Sequence, residues 1–341
     1  MFGYETEVTG LEYIDGYIHS KGERILLKTL CELTGVSGYE DSVTNYLADK
    51  LKTLGYGNCY IDKVGNLIFY VAGTNSKKKI LVQAHIDEVG FQIISEVGEK
   101  QYSLKSLGNI KTWNAYQQRV VSSNGIQGII YAKDAEHLKA YNYENLMMKT
   151  LCSSKKLQIG DVLTFDVPLL ETDEYFIGKA LDNRASCKCL FNAITECRFL
   201  KNDTYFCFSV QEEIGMRGAR VLRSTLQPDI NITIDLSGIG ERNSLKLGRG
   251  LGIKISDSMG VSSRKSVETA QKIASENNIE YQFEVSDCGT SELIISNEMD
   301  NGCAELGISI PCDYLHCANT VVYKKDLESC ENYLPLLIAG I

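Results

Sequence analysis

Residues 79–90, K-I-L-V-Q-A-H-I-D-E-V-G, form an apolar, β-branched run that stops abruptly at His85, Asp87 and Glu88. A strand apolar on both faces belongs inside a parallel sheet covered by helices, and open α/β sheets place their sites at the carboxyl ends of such strands. The same punctuation recurs twice. Residues 204–210 end in Gln211-Glu212-Glu213, and residues 229–234 end in Asp235. Helical apolar spacing at 22–33, from 38 to 54, after Asp182, at 216–226, at 267–275 and from 325 onward alternates with these strands. The pattern predicts an α/β fold with a mostly parallel central sheet and helices on both faces.

Between residues 93 and 175 the character changes to short strands around turn signals. The clearest are 119–123 and 126–131, which flank Asn124-Gly125, a two-residue hairpin turn; residues 159–165 are expected to be a further strand. The expected organisation is therefore a main domain from 1–92 and 176–341, interrupted by a small β-barrel-like domain at 93–175. A strand-rich lid within one domain is the alternative.

A net charge of -9, with 44 Asp+Glu against 35 Lys+Arg, argues against a nucleic-acid partner. No run approaches the ~18 apolar residues of a membrane span. The amino terminus lacks a basic and apolar leader, so a cytoplasmic location is expected. The 12 cysteines are scattered through apolar runs, which fits buried thiols in a reducing compartment. Cys187/Cys189 and Cys312/Cys317 lack the spacing of a structural zinc site.

His85 and Asp87 stand two apart, so in a persisting strand they share a side. Asp87 is then placed to accept the ring N–H that His85 does not use on a metal. Asp182 and His316 lie in loops beside helix or strand termini, and a sheet converges such ends on one rim. Singly, each residue has an ordinary account: a core histidine, a helix cap, a solvated strand end, a turn. Together, His85, Asp182, Glu213, Asp235 and His316 are a sufficient set for two divalent ions ~3.5–4 Å apart with one bridging carboxylate. Neighbouring side chains of an extended strand point to opposite faces, so one of Glu212 and Glu213 is free for proton transfer to and from a water and a leaving amine. The glycines at 248, 250 and 252 lack the spacing of a dinucleotide-binding loop, and the acids are better explained as ligands than as a glycosidase pair.

The motifs A-H-I-D-E-V-G-F (84–91), G-K-A-L-D-N-R (178–184), Q-E-E-I-G-M-R-G-A (211–219), the I-D strand end at Asp235 and Y-L-H at His316 occur in this order. With S-G-Y-E-D at 37–41 and D-K-V-G-N-L-I at 62–68, they resemble the tetrahedral, glutamyl and deblocking aminopeptidases, some of which carry an endoglucanase label. The resemblance implies a phosphorylase/hydrolase-like fold of the zinc-peptidase type and two zinc or cobalt ions per subunit. Asp182 would bridge them, His85 and Asp235 completing one and Glu213 and His316 the other. Glu212 would be the general base and Asp87 the carboxylate that orients His85. Peptides would be the substrates, and the β-rich insertion would build a homo-oligomer, a dodecamer in the family. Two departures stand out: Ser291 replaces the acid of a G-T-D-A motif, and Asp313-Tyr314-Leu315-His316-Cys317 replaces R-Y-x-H-S. The insertion is also short around 149–156. An amidohydrolase or deacylase on the same scaffold, or a metal-binding assembly subunit without turnover, are the alternatives.

Overall fold

The computed structural model describes residues 11–14, 17–139, 141–151, 156–298 and 302–341. Its centre is a sheet in which Asp203–Ser209, Lys79–His85, Ile230–Gly238 and Ala304–Asp313 run parallel, in that spatial order. These are the apolar runs of the sequence, and six of the seven residues of Lys79–His85 are buried. The flanks are antiparallel, with Leu67–Val71 and Asn58–Ile61 on one side and Thr320–Tyr323 and Tyr175–Gly178 on the other. The sheet is therefore mixed, parallel at its middle and closed off by hairpin-like edges.

The strand period of two sorts the side chains between unequal faces. Ile80, Val82, Ala84, Ile232, Ile234, Leu306 and Ile308 point into one large core. Helices Lys21–Glu32, Asp41–Lys52, Leu181–Glu196, Arg264–Glu276 and Lys324–Gly340 supply its other half. Leu81 and Cys207 point the opposite way, into a small cluster under Leu222 of helix Arg217–Leu226. That second face is largely polar: Gln83 donates to Asn231 at 3.0 Å, and Asn231 donates to Glu305 at 2.8 Å. Parity places His85 and Asp235 on this face, opposite the big core. Each fully buried aliphatic or aromatic side chain contributes about 1.5–3 kcal/mol, so the large core holds the sheet while the polar face stays available for chemistry.

The chain leaves the sheet after His85 and enters a closed six-stranded barrel at Gly90–Gly98. Its remaining strands are Gln101–Leu107, Arg119–Ser122, Gln127–Ala132, Leu146–Thr150 and Val162–Phe165. The second and third of these form the hairpin expected around Asn124-Gly125, with Gly125 at φ 81°. The last strand begins at Val162 rather than 159, because Gly160 takes a positive φ and leaves Ile159 exposed. The barrel has its own core, including Phe91 and Phe165 packed edge to face at 5.7 Å. Ala318, two residues past His316, is buried in that same core.

Candidate metal centre

The structure brings all seven sequence-predicted site residues to one place. His85 Nε2 lies 3.4 Å from Asp182 Oδ1 and 3.5 Å from Asp235 Oδ1. His316 Nε2 lies 3.2 Å from Asp182 Oδ2 and 3.3 Å from Glu213 Oε2. Glu212 Oε2 is 3.9 Å from His85 Nε2. Asp182 lies at the head of Leu181–Glu196 with non-helical dihedrals, so it is held in a turn rather than capping a regular helix turn. His316 sits in the loop after strand Ala304–Asp313, at φ 56°, and its Nδ1 meets the Asn109 carbonyl of the barrel at 3.1 Å. The barrel thus helps fix the ring.

Asp87 does more than the sequence suggested. His85 Nδ1 is 3.4 Å from its carboxylate and 3.2 Å from its backbone carbonyl. The same carboxylate accepts the Glu212 N–H at 2.9 Å, the Glu213 N–H at 3.1 Å and the Ser37 hydroxyl at 2.6 Å. One residue upstream, the Gln211 N–H donates to Glu40 Oε1 at 3.1 Å, and Gln211 takes a φ of 58°. Three successive amides at the acidic strand end are therefore clamped by two buried carboxylates.

Glu40 and Glu292 are site neighbours that the sequence does not reveal. Glu40 lies in the S-G-Y-E-D motif, but nothing local links it to Gln211. Glu292 follows Ser291, where an acid was expected one position earlier; it is buried and accepts the Ser209 hydroxyl at 2.6 Å.

Burial dominates the electrostatics. It pushes Glu212 well above the usual carboxylate range against the pull of His85, with Glu213, Asp235 and Glu292 adding repulsion. Burial likewise raises Glu213 to about 7 and Glu292 to about 7. Asp182 goes the other way: burial opposes its charge, but the His316 and His85 imidazoles hold it below the ordinary value. Burial disfavours charge on His316 too, yet Glu213 and Asp182 raise it to about 10. A cation bound among these residues would balance the charge that burial disfavours, and its uptake would be coupled to proton release.

The donor set fits divalent metal. His85 with Asp182 and Asp235, and Asp182 with Glu213 and His316, each offer three ligand atoms within 4.8 Å of one another; His85, Glu212 and Glu213 form a third such group. Glu213 Oε1 is buried without any hydrogen-bond partner, which is costly unless something positive meets it. Among the described residues no lysine or arginine forms an ion pair with Asp182, Glu212, Glu213 or Asp235.

An α/β sheet that gathers imidazoles and carboxylates near its carboxyl rim, beside a closed barrel, is built to hold divalent metal. The M42 glutamyl aminopeptidase family model matches residues 65–333. The chain belongs to that family and is an aminopeptidase that depends on divalent metal. It is 30% identical over 329 residues to a putative aminopeptidase of Acetivibrio thermocellus, covering 93% of this chain and 97% of the relative. Its fold matches aminopeptidase APDkam598 of the archaeon Desulfurococcus kamchatkensis with a TM-score of 0.87 and 27% identity, over 93% of this chain and 94% of that one. The TET1 peptidase of Pyrococcus horikoshii, which can assemble into a tetrahedron or a large octahedral shell, matches with a TM-score of 0.84 and 25% identity, over 94% of this chain and 100% of that one.

Proposed function

We propose that the enzyme removes the first residue of peptides with a pair of divalent cations held by His85, Asp182, Glu213, Asp235 and His316, and with Glu212 as general base. The observation that carries this reading is Asp182, whose Oδ1 faces His85 and whose Oδ2 faces His316. That is the disposition of a carboxylate shared between two cations, with Asp235 falling on the His85 side and Glu213 on the His316 side. The mixed imidazole and carboxylate set suits zinc or cobalt.

When bound, such a pair polarises a carbonyl and makes water more acidic. The protein's residues supply the rest. Glu212 accepts a proton from the attacking water and returns it to the departing amine. Its buried, acid-crowded setting suits a group that must hold that proton between the two steps. Asp87 fixes the His85 ring and clamps the Glu212 and Glu213 backbone, so base and ligand keep a constant separation. The barrel, whose strands run from Gly90 to Phe165, is the assembly module of a homo-oligomer. Support comes from the apolar Ile94, Val97 and Ile159 on its exterior and from the assemblies of the Pyrococcus relative.

The test is metal quantification joined to hydrolysis of an aminoacyl-anilide series. The expectation is two ions per chain in both wild type and Glu212→Gln, with turnover falling about 10²–10⁴-fold in the variant. Undiminished turnover in Glu212→Gln would remove the base assignment, and hydrolysis confined to N-acyl amino acids would replace the peptidase reading with a deacylase.

A further inference from the structure

We propose that an uncharged cleft beside the metal cluster receives the side chain of the substrate's first residue and selects aromatic ones. The proposal rests on the reading above, in which the scissile carbonyl of that residue lies at the cluster. Its side chain springs from the carbon next to that carbonyl and leaves through an opening beside the cluster.

That opening is bounded by the loop carrying His316. Cys317 lines both the small recess formed with Asp182, Glu213 and His316 and a larger cleft of about 380 Å³ immediately beyond it. One wall of the larger cleft is the short helix Thr112–Ala115 with Trp113 and Asn114, followed by Gln118; the other is Ile177 of strand Tyr175–Gly178 with the loop residues Tyr314 and Asn319. The two walls are locked together where the Asn109 carbonyl meets His316 Nδ1 and where Ala318 enters the barrel core. The cleft thus adjoins the site across Cys317 and is built on fixed elements. Its size falls at the small end of ligand pockets, about 300–1,000 Å³.

None of its nine lining residues is charged. Two charges flank it in sequence: Lys111, with Nζ 5.8 Å from the Trp113 ring centroid, and Asp313, whose carboxylate accepts the Tyr314 N–H at 2.8 Å. A glutamate or lysine side chain entering would lose water without gaining a partner. An aromatic side chain would gain the faces of Trp113 and Tyr314, which stand 50% and 65% exposed, and a phenol could use the amides of Asn114, Gln118 or Asn319. Family membership under a glutamyl heading therefore does not carry an acidic preference into this chain.

Trp113 is the one tryptophan of the sequence, so its fluorescence reports on this cleft alone. Titration of the metal-loaded enzyme with phenylalaninamide should change that emission saturably, while glutamic acid α-amide and lysinamide leave it flat at the same concentrations. Tyr314→Ala, a change at an exposed side chain, should weaken phenylalaninamide about two- to tenfold. It should lower kcat/KM for phenylalanyl-anilide by the same factor and for alanyl-anilide by a clearly smaller one. An emission unmoved by phenylalaninamide, equal responses to the three amides, or a uniform loss across anilides in Tyr314→Ala would overturn the proposal. The emission needs no turnover, so failure of hydrolysis and failure of the cleft assignment are read separately.

Discussion

Asp87 holds one imidazole, two backbone amides and a hydroxyl with a single carboxylate. Its removal should leave the ligands present but badly aimed. Asp87→Ala is expected to weaken metal affinity about 10–100-fold, measured by chelator competition, while the folded far-UV signal persists. Glu40 acts one step further out, through the Gln211 amide. Glu40→Gln keeps an acceptor oxygen and should stay near wild-type kcat; Glu40→Ala should lose kcat with metal content unchanged, and equal rates in the two would remove Glu40 from the clamp. Of the candidate ligands, His85, Glu213 and Asp235 were legible in the sequence because such residues are unusual at the ends of apolar strands, whereas Asp182 and His316 lie in a helix head and a loop. Glu40 was not, since what it does depends on a backbone amide 171 residues away.

Between elements, Glu88 is the buried junction of sheet, barrel and helix. It meets Lys179 Nζ at 2.9 Å, accepts the Thr164 hydroxyl at 2.6 Å and the Gly35 N–H at 3.0 Å, and lies 3.7 Å from the fully buried Arg184. Lys179→Met leaves that charge under-compensated, and denaturant melts should show a loss of about 3–5 kcal/mol. A second junction ties the last helix to the loop before strand Leu251–Ser256: Asp326 accepts the N–H groups of Gly248 and Gly250 at 2.7 and 2.8 Å. Burial raises this acid to about 6 despite those bonds. Its folded pKa exceeds its unfolded one, so ionisation costs stability as pH rises from about 4 through 6. Relative to wild type, the thermal midpoint of Asp326→Asn should therefore improve between pH 4 and pH 7; a gap constant with pH would contradict this. The elements themselves were mostly readable from period and turn chemistry, as the Asn124-Gly125 hairpin shows. These junctions were not, because each joins residues without a common local pattern.

Over the whole molecule, the unequal faces of the sheet explain where the site lies: the helical core takes one face, and the polar face ends in His85 and Asp235. The parallel centre followed from buried, mostly apolar strands alternating with helical segments, although the second face of those strands carries Gln83, Asn231 and Glu305. The antiparallel flanks and the closure of the barrel did not, since which strand pairs with which depends on contacts distant in sequence. Ser291, which looked like a lost acid, instead donates its hydroxyl to Asp257 at 2.7 Å while Glu292 supplies a buried carboxylate beside it. The central claim is that two cations share Asp182. Anomalous scattering from crystals grown with zinc should give two peaks per chain, one between His85 and Asp235 and one between Glu213 and His316, with the Asp182 carboxylate between them. A single peak, or zinc bound away from Asp182, would contradict it.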